Sequence, residues 1–223
     1  MKEKNLLHRP MDPRNPRDKT LRLVQMAVLV AISSVLVLIS FPLIPVVPFL
    51  EYDLADIPVL LCAFTMGLPA GMLVLTIAAL IQAFAFGHNG IIGFIMHMLS
   101  SGALVLLAGW IYARFKKSTK GMIIGLVCGI VLVVLIMIPL NFIFIPNLSM
   151  AVPLAESTSI FWHGLVGGYD PALYGEATIS AYNMVKGLLM VGIVPFNFIK
   201  YTLTSVIFLI VFRNLPYLNR RKE

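Results

Sequence analysis

Four polar residues lie at the edges of long apolar segments, where each of them needs a partner. They are Asp56, Asn141, Asn197 and Lys200. A polar side chain close to a hydrocarbon core costs free energy unless it is hydrogen-bonded or paired. Asn197 and Lys200 are three positions apart, so a helix would present them on one face. Together the four residues predict a small-molecule site made of amide, carboxylate and ammonium groups.

Three of these residues also have a purely structural interpretation. Asp56 could cap the helix that begins before Pro58. Asn141 could bond to a neighbouring helix, and Lys200 could extend along apolar surface to reach water. No single residue decides between the two interpretations. Their expected position toward one side of the same bundle favours a binding site.

Other chemistry is not indicated by the sequence. There is no Walker A motif, no Gly-rich phosphate loop and no HExxH. His88 and His97 are nine positions apart and do not share a helical face as a metal-binding pair would, so we expect each to be a turn residue or a packed polar residue. Cys62 and Cys128 lie within apolar runs and are expected to be buried small residues. We therefore predict no enzyme, no metal site and no cofactor.

The composition explains why polar residues in apolar segments are informative. Of the 223 residues, 59% are hydrophobic and 12% are charged, whereas a soluble domain carries about 25% charged residues. No Asp, Glu, Lys or Arg occurs between Ile57 and Ala113, and that stretch is long enough to cross a bilayer several times. The prediction is an all-α integral membrane protein with six transmembrane helices, at about 21–40, 57–66, 70–86, 91–113, 122–144 and 194–212.

The basic residues predict the orientation of these helices. All of the 17 Lys and Arg except Lys186 and Lys200 fall within 2–22, 114–120 and 213–222. These clusters flank apolar segments, so the positive-inside rule explains them better than nucleic-acid binding does. Both ends of the chain are then cytoplasmic. The expected organisation is a basic tail at 1–20, which lacks signal-peptide features, a six-helix membrane domain at 21–213 with outer loops at about 41–56, 87–90 and 146–193, and a basic tail at 214–223.

Small residues spaced four apart mark faces where another helix could pack closely. Ala27 and Ala31 form such a pair in the first predicted span, and Gly121, Gly125 and Gly129 form a stripe in the fifth. Close packing of this kind is common between membrane helices. The pattern alone leaves open whether the partner helix belongs to this chain or to another subunit.

Several of these elements occur together in a known order. The chain has Ala27 and Ala31 in its first span, a proline-rich loop, Tyr52-Asp-Leu-Ala-Asp-Ile-Pro58, Gly67-Leu-Pro-Ala-Gly71, Asn141 late in span five, and Pro195-Phe-Asn-Phe-Ile-Lys200. Over roughly residues 21–213 it resembles the substrate-binding S components of energy-coupling-factor (ECF) vitamin transporters, and most closely the riboflavin-specific type.

This resemblance implies a six-helix protein of the cell membrane that captures riboflavin on the outer face. The Ala27–Ala31 helix would dock on a transmembrane coupling subunit driven by two ATPases, and the S component would topple to carry the vitamin inward. Asn141, Asn197 and Lys200 would contact the flavin, and Asp56 would lie near it. The segment 146–192 is longer and more polar than the resemblance leads us to expect, which suggests an extra lid.

The chemistry of the ligand agrees with these residues. The isoalloxazine edge presents carbonyl acceptors and one N–H donor, which an Asn amide complements. Lys200 can donate to a carbonyl or ring nitrogen, and ribityl hydroxyls can donate to Asp56. Three alternatives stay open: an S component for a different vitamin or small molecule, a membrane-embedded enzyme using Asp53 and Asp56, and a structural or assembly protein.

Overall fold

A computed structural model describes residues 15–48, 50–85, 90–167 and 170–214, without the side chains of 148–150. Most of the described residues are helical, and two strands of two residues each pair with one another. The α-helices are α1 (Pro16–Val37), α2 (Asp56–Met66), α3 (Leu68–Leu80), α4 (Gly90–Arg114), α5 (Thr119–Met150), α6 (Leu154–Val166), α7 (Glu176–Leu188) and α8 (Val194–Asn214). The strands are β1 (Phe41–Pro42) and β2 (Glu51–Tyr52).

The predicted helical membrane architecture is confirmed. Among the described residues, five continuous helical segments are long and apolar enough to cross a bilayer, and α2 is a shorter apolar helix. A π-helical turn at Ile81–Ala85 extends α3, and another at Leu189–Ile193 joins α7 to α8. The antiparallel pairing of Phe41 with Tyr52 and of Pro42 with Glu51 was not predicted, because strands this short leave no periodic pattern in the sequence.

Helix ends differ from the predicted boundaries where capping decides them. The α1 helix begins at Pro16, because the Asn15 side chain accepts a hydrogen bond from the Arg17 amide at 3.0 Å. The end of the predicted tail 1–20 is therefore helical, whereas 1–14 lies outside the described residues, as do 215–223 of the C-terminal tail and 87–89 of the loop predicted at 87–90. Ser118 caps α5 in the same way through the Gly121 amide.

The glycine stripe of α5 packs inside the chain. A Cβ atom added at Gly125 would come within 2.7 Å of the Ala108 carbonyl oxygen, and one at Gly129 within 2.7 Å of the Leu104 side chain. The absence of side chains at these two positions lets α5 lie directly on α4. This answers the question left open by the spacing for Gly125 and Gly129, whose partner is α4 of the same chain, whereas a Cβ at Gly121 would meet Phe115 and Ser118 of the loop between the two helices.

Glycines also allow the tight turn and close packing between α2 and α3. Gly67 links the two helices with a φ of 104°, a conformation that residues with a Cβ rarely adopt. A Cβ at Gly71 would lie 2.4 Å from the Ala63 Cβ, so the two helices touch through their smallest residues. The short apolar helix α2 is thereby held within the bundle, against α1, α3, α4 and α8.

An aromatic cluster fills the bundle near the end where the basic residues lie. Phe64 of α2 packs against Tyr112 of α4 and against Phe208 and Phe212 of α8, with ring centroids 4.7 to 6.4 Å apart. Arg22 of α1 donates to the Met66 carbonyl at 2.9 Å at the same end. These contacts gather the start of α1 and the ends of α2, α4 and α8.

The long segment 146–192 is mostly helical. The α5 helix continues through Pro146 to Met150, so the predicted loop at 146–193 begins later than expected. Helices α6 and α7 then pack on the end of α5, where Phe142 contacts Phe161 and Tyr182. Glu156 accepts a hydrogen bond from Thr178 at 2.6 Å, which ties α6 to α7.

Candidate ligand-binding site

A cavity of about 430 Å³ opens in the half of the bundle away from the basic clusters at 16–22, 114–120 and 213. Its walls come from the end of α1, the β2 strand and the residues after it, the end of α3 with its π-helical turn, the start of α4, α5 and the start of α8. The lining residues include polar groups as well as apolar ones: Val37, Ser40, Leu50, Glu51, Asp53, Ala79, Gln82, Ala83, Gly93, Met96, His97, Ser100, Met137, Phe196, Asn197, Lys200 and Tyr201.

A buried ion pair forms one wall of this cavity. Lys200 Nζ lies 3.2 Å from Asp53 Oδ2 and 3.5 Å from the Glu51 carbonyl oxygen. Both side chains are almost completely buried, Lys200 at 9% and Asp53 at 4% exposure. An ammonium group has three N–H donors, so these two contacts leave one donor for the cavity that Lys200 lines.

The strand pair holds Asp53 in position for Lys200. Asp53 Oδ1 accepts a hydrogen bond from the Ala55 amide at 2.9 Å, which forms a turn just before α2. Tyr52 packs edge-on against Phe41 across the strand pair, with ring centroids 5.7 Å apart. Burial raises the pKa of Tyr52, while Thr204 and Lys200 oppose that rise. The loop between α1 and α2 is therefore a packed part of the site.

Asn197 lines the same cavity and lies about one helical turn before Lys200 on α8. Its Nδ2 donates to the Ile193 carbonyl at 2.8 Å, and the side chain is 2% exposed. Ile193 is the last residue of the π-helical turn that precedes α8. One of the two N–H groups of the amide is engaged by the backbone, so the other N–H and the amide oxygen are left for a ligand.

Asp56 lies behind the cavity wall, outside the set of lining residues. It is the first residue of α2, whose start carries no side-chain cap, so the capping interpretation is not observed. Asp56 Oδ2 accepts a hydrogen bond from Ser101 at 2.7 Å, and its Oδ1 lies 3.3 Å from His97 Nε2. His97 lines the cavity and so separates Asp56 from it.

Asn141 is also behind the wall. Its Nδ2 donates to the Met137 carbonyl at 2.6 Å within α5, and Met137 is the α5 residue that lines the cavity. The side chain is completely buried. Its Oδ1 has no hydrogen-bond partner among the described residues.

The structure thus brings Asn197 and Lys200 together on the cavity and leaves Asp56 and Asn141 one layer further out. Sequence reasoning missed Asp53 and His97. Asp53 could have been found, because a lysine inside a membrane protein needs a carboxylate and the acidic cluster at 51–56 supplies one. His97 carried no such signal, because its partner Asp56 is far away in the sequence.

The family assignment follows from comparison of the whole chain. The model of the ECF transporter substrate-specific component family matches residues 21–212. The chain belongs to this family. The predicted resemblance is confirmed, and this S component is a multi-pass membrane protein of a family of transporter components, which is not an enzyme family.

Curated relatives and a solved structure agree with the assignment. This S component is 29% identical to the riboflavin transporter RibU of Staphylococcus aureus (strain TCH60), over 90% of this chain and 93% of that protein. It is 25% identical to the riboflavin transporter FmnP of Bacillus subtilis (strain 168), over 92% and 97%. The solved structure of the S component of a bacterial ECF transporter superposes with a TM-score of 0.63, at 28% identity, covering 91% of this chain and 99% of that one.

The first helix of this S component leaves one face uncovered. Ala27 and Ala31 are exposed, and so are the large apolar residues around them, Val24, Val28 and Val35. Only 11% of the apolar stretch of α1 is buried, against 33 to 44% in the other four long segments. The small-residue pair of α1 therefore has no packing partner among the described residues of the chain, unlike the glycine stripe of α5.

Proposed function

We propose that this S component binds riboflavin in the cavity beside Asn197 and Lys200 and delivers it across the membrane as part of an ECF transporter. The observation that carries the proposal is the pairing of these two side chains on one wall of a cavity. The names of the relatives, riboflavin transporters in Staphylococcus aureus and Bacillus subtilis, support the choice of ligand.

The free hydrogen-bonding groups suit the polar edge of a flavin. That edge alternates carbonyl acceptors with one imide N–H donor. The Asn197 amide oxygen is left as an acceptor for the imide N–H, and the remaining N–H of Lys200 is a donor for an adjacent carbonyl. Val37, Leu50 and Phe196 are apolar surfaces that could cover the ring system.

Asp56 and Asn141 belong to the proposed site as supporting groups. Asn141 lies one turn from Met137 on α5, and its unpaired carbonyl oxygen would gain a partner if the ligand or a rearranged side chain reached it. Asp56 contacts His97, a lining residue, and would act on the ligand through it. No metal or cofactor is needed for binding of this kind.

Delivery requires partners beyond this chain. We propose that both termini are cytoplasmic, because the described basic residues other than Lys186 and Lys200 gather at the end of the bundle away from the cavity. The exposed Ala27–Ala31 face of α1 would dock on a transmembrane coupling subunit, which two ATPase subunits drive. Close helix packing at small residues is the physical basis of this contact.

Titration of the purified protein with riboflavin tests the proposed ligand. Binding would quench flavin fluorescence with saturation at one riboflavin per chain, and an excess of thiamine or biotin would leave that signal unchanged. Absence of saturable quenching, together with binding of another vitamin, would assign the cavity to a different ligand while leaving the family assignment in place.

A further inference from the structure

A chain of buried polar groups connects two residues of the cavity wall. Tyr201 Oη lies 3.3 Å from Ser101 Oγ, and Ser101 donates to Asp56 Oδ2 at 2.7 Å. Asp56 Oδ1 lies 3.3 Å from His97 Nε2. Since Ser101 has one proton and gives it to Asp56, Tyr201 must be the donor in its contact with Ser101. The chain therefore runs from α8 through α4 to α2 and back to α4.

The position of Asp56 determines how His97 faces the cavity. Asp56 is 1% exposed and Ser101 is completely buried, so the carboxylate is held without contact with solvent. A carboxylate beside one imidazole nitrogen favours a proton on that nitrogen and fixes the orientation of the ring. Nε2 is the ring nitrogen beside Asp56, at an ion-pair distance of 3.3 Å from Oδ1 but outside hydrogen-bond geometry. Nδ1 is therefore the nitrogen left for a ligand, and it makes no hydrogen bond within the described residues.

We propose that His97 binds a hydroxyl of the ribityl chain of the ligand, and that Asp56 is the residue that positions its ring. The inference rests on riboflavin being the ligand. The α8 wall already offers an acceptor and a donor for the imide edge, in Asn197 and Lys200, whereas His97 adds a polar group on the α4 wall. A hydroxyl both donates and accepts, so it can pair with Nδ1 whether the ring is neutral or charged.

The test compares two ligands on matched variants. Riboflavin and lumiflavin, in which a methyl group replaces the ribityl chain, are titrated against wild type, His97→Phe, His97→Met and Asp56→Asn. The control is His163→Phe, since His163 contacts Tyr174 in the α6–α7 region and does not line the cavity. The readout is the ratio of the two affinities, because a general loss of packing weakens both ligands alike.

We expect either His97 variant to weaken riboflavin by about tenfold, the value of one hydrogen bond, and to leave lumiflavin affinity unchanged. Both His97 variants therefore lower the ratio of riboflavin affinity to lumiflavin affinity. Asp56→Asn should lower this ratio by a smaller factor, and His163→Phe should not change it. An unchanged ratio in whichever His97 variant folds would overturn the inference while leaving riboflavin as the ligand. Failure of wild type to bind riboflavin at all would remove the proposed function and this inference with it.

Discussion

At the scale of single residues, the site depends on polar groups that are buried and only partly satisfied. Asn197 has one N–H engaged by the backbone and its oxygen and other N–H left for the cavity, and Lys200 keeps one donor after its contacts with Asp53 and the Glu51 carbonyl. Groups fixed in this way lose little conformational freedom when a ligand arrives. In the proposed site, this preorganisation would let two side chains contribute strongly to affinity.

Replacing either residue should weaken riboflavin binding without unfolding the protein. For Asn197→Ala and Lys200→Met we expect losses of about ten- to a hundredfold, because hydrogen bonds to a buried ligand contribute about 1–3 kcal/mol each. Fluorescence titration in detergent measures the affinity. Asn183→Ala and Lys186→Met are matched controls, since both residues are exposed on α7. Unchanged binding in both site variants would remove the proposed pocket.

The Lys200–Asp53 pair should also show a stability effect of its own. Removing one partner leaves the other charged and buried, which costs about 3–5 kcal/mol. Lys200→Met and Asp53→Asn should each lower the thermal unfolding midpoint in detergent. The decrease in the double variant should be smaller than the sum of the two single decreases. Additive effects would show that the two groups, although 3.2 Å apart, are not energetically coupled.

At the scale of elements, close helix packing places the cavity walls. Gly125 and Gly129 let α5 lie on α4, and these two helices contribute Met137 and His97 to the cavity. The helices of the 146–192 segment pack against the end of α5, and none of their residues lines the cavity. A lid role for that segment stays a prediction.

The space around Gly125 and Gly187 predicts different effects of a Gly→Ala substitution on thermal stability. Gly125→Ala should lower the thermal unfolding midpoint, because overpacking against the Ala108 backbone costs about 1–3 kcal/mol. At Gly187 on α7 an added Cβ meets nothing within 4 Å, so Gly187→Ala should leave the midpoint equal or raise it, since Ala favours helix by about 1 kcal/mol. A midpoint unaffected by Gly125→Ala would contradict the packing described for α4 and α5.

The sequence was informative about elements and less so about their contacts. Long apolar runs predicted the membrane helices near their observed positions, because membrane thickness fixes segment length. It could not predict that α5 continues through Pro146, since neighbouring helices decide whether a proline is tolerated. Nor could it show which carboxylate of the acidic cluster at 51–56 pairs with Lys200, because tertiary packing makes that choice and selects Asp53, 147 positions away.

At the scale of the whole molecule, the two ends of the bundle differ in chemistry. The cavity with its buried ion pair occupies one half, and Arg22, Arg114, Lys117 and Arg213 lie toward the other. An uncovered face of α1 lies along the side. If the cavity captures the ligand and the α1 face docks the partner, as proposed, this separation would allow the two functions to be altered independently.

A bulky residue on the α1 face should therefore block transport and spare binding. Ala27→Trp or Ala31→Trp would prevent close approach of a partner helix, while the cavity, which begins at Val37 on this helix, stays intact. Riboflavin uptake by cells carrying the complete transporter and titration of the purified variant measure the two properties. Val131→Trp on the exposed side of α5 is the control, and normal uptake with Ala27→Trp would contradict the docking proposal.

The central claim is that this S component holds a flavin in its cavity, and the absorption spectrum of the purified protein tests it most directly. The protein is purified in mild detergent from cells supplied with riboflavin, and any bound compound is released by denaturation and identified. We predict a yellow preparation that releases riboflavin at one molecule per chain, and a colourless one from the Asn197→Ala, Lys200→Met double variant. A colourless wild-type preparation that also fails to quench added riboflavin would contradict the account.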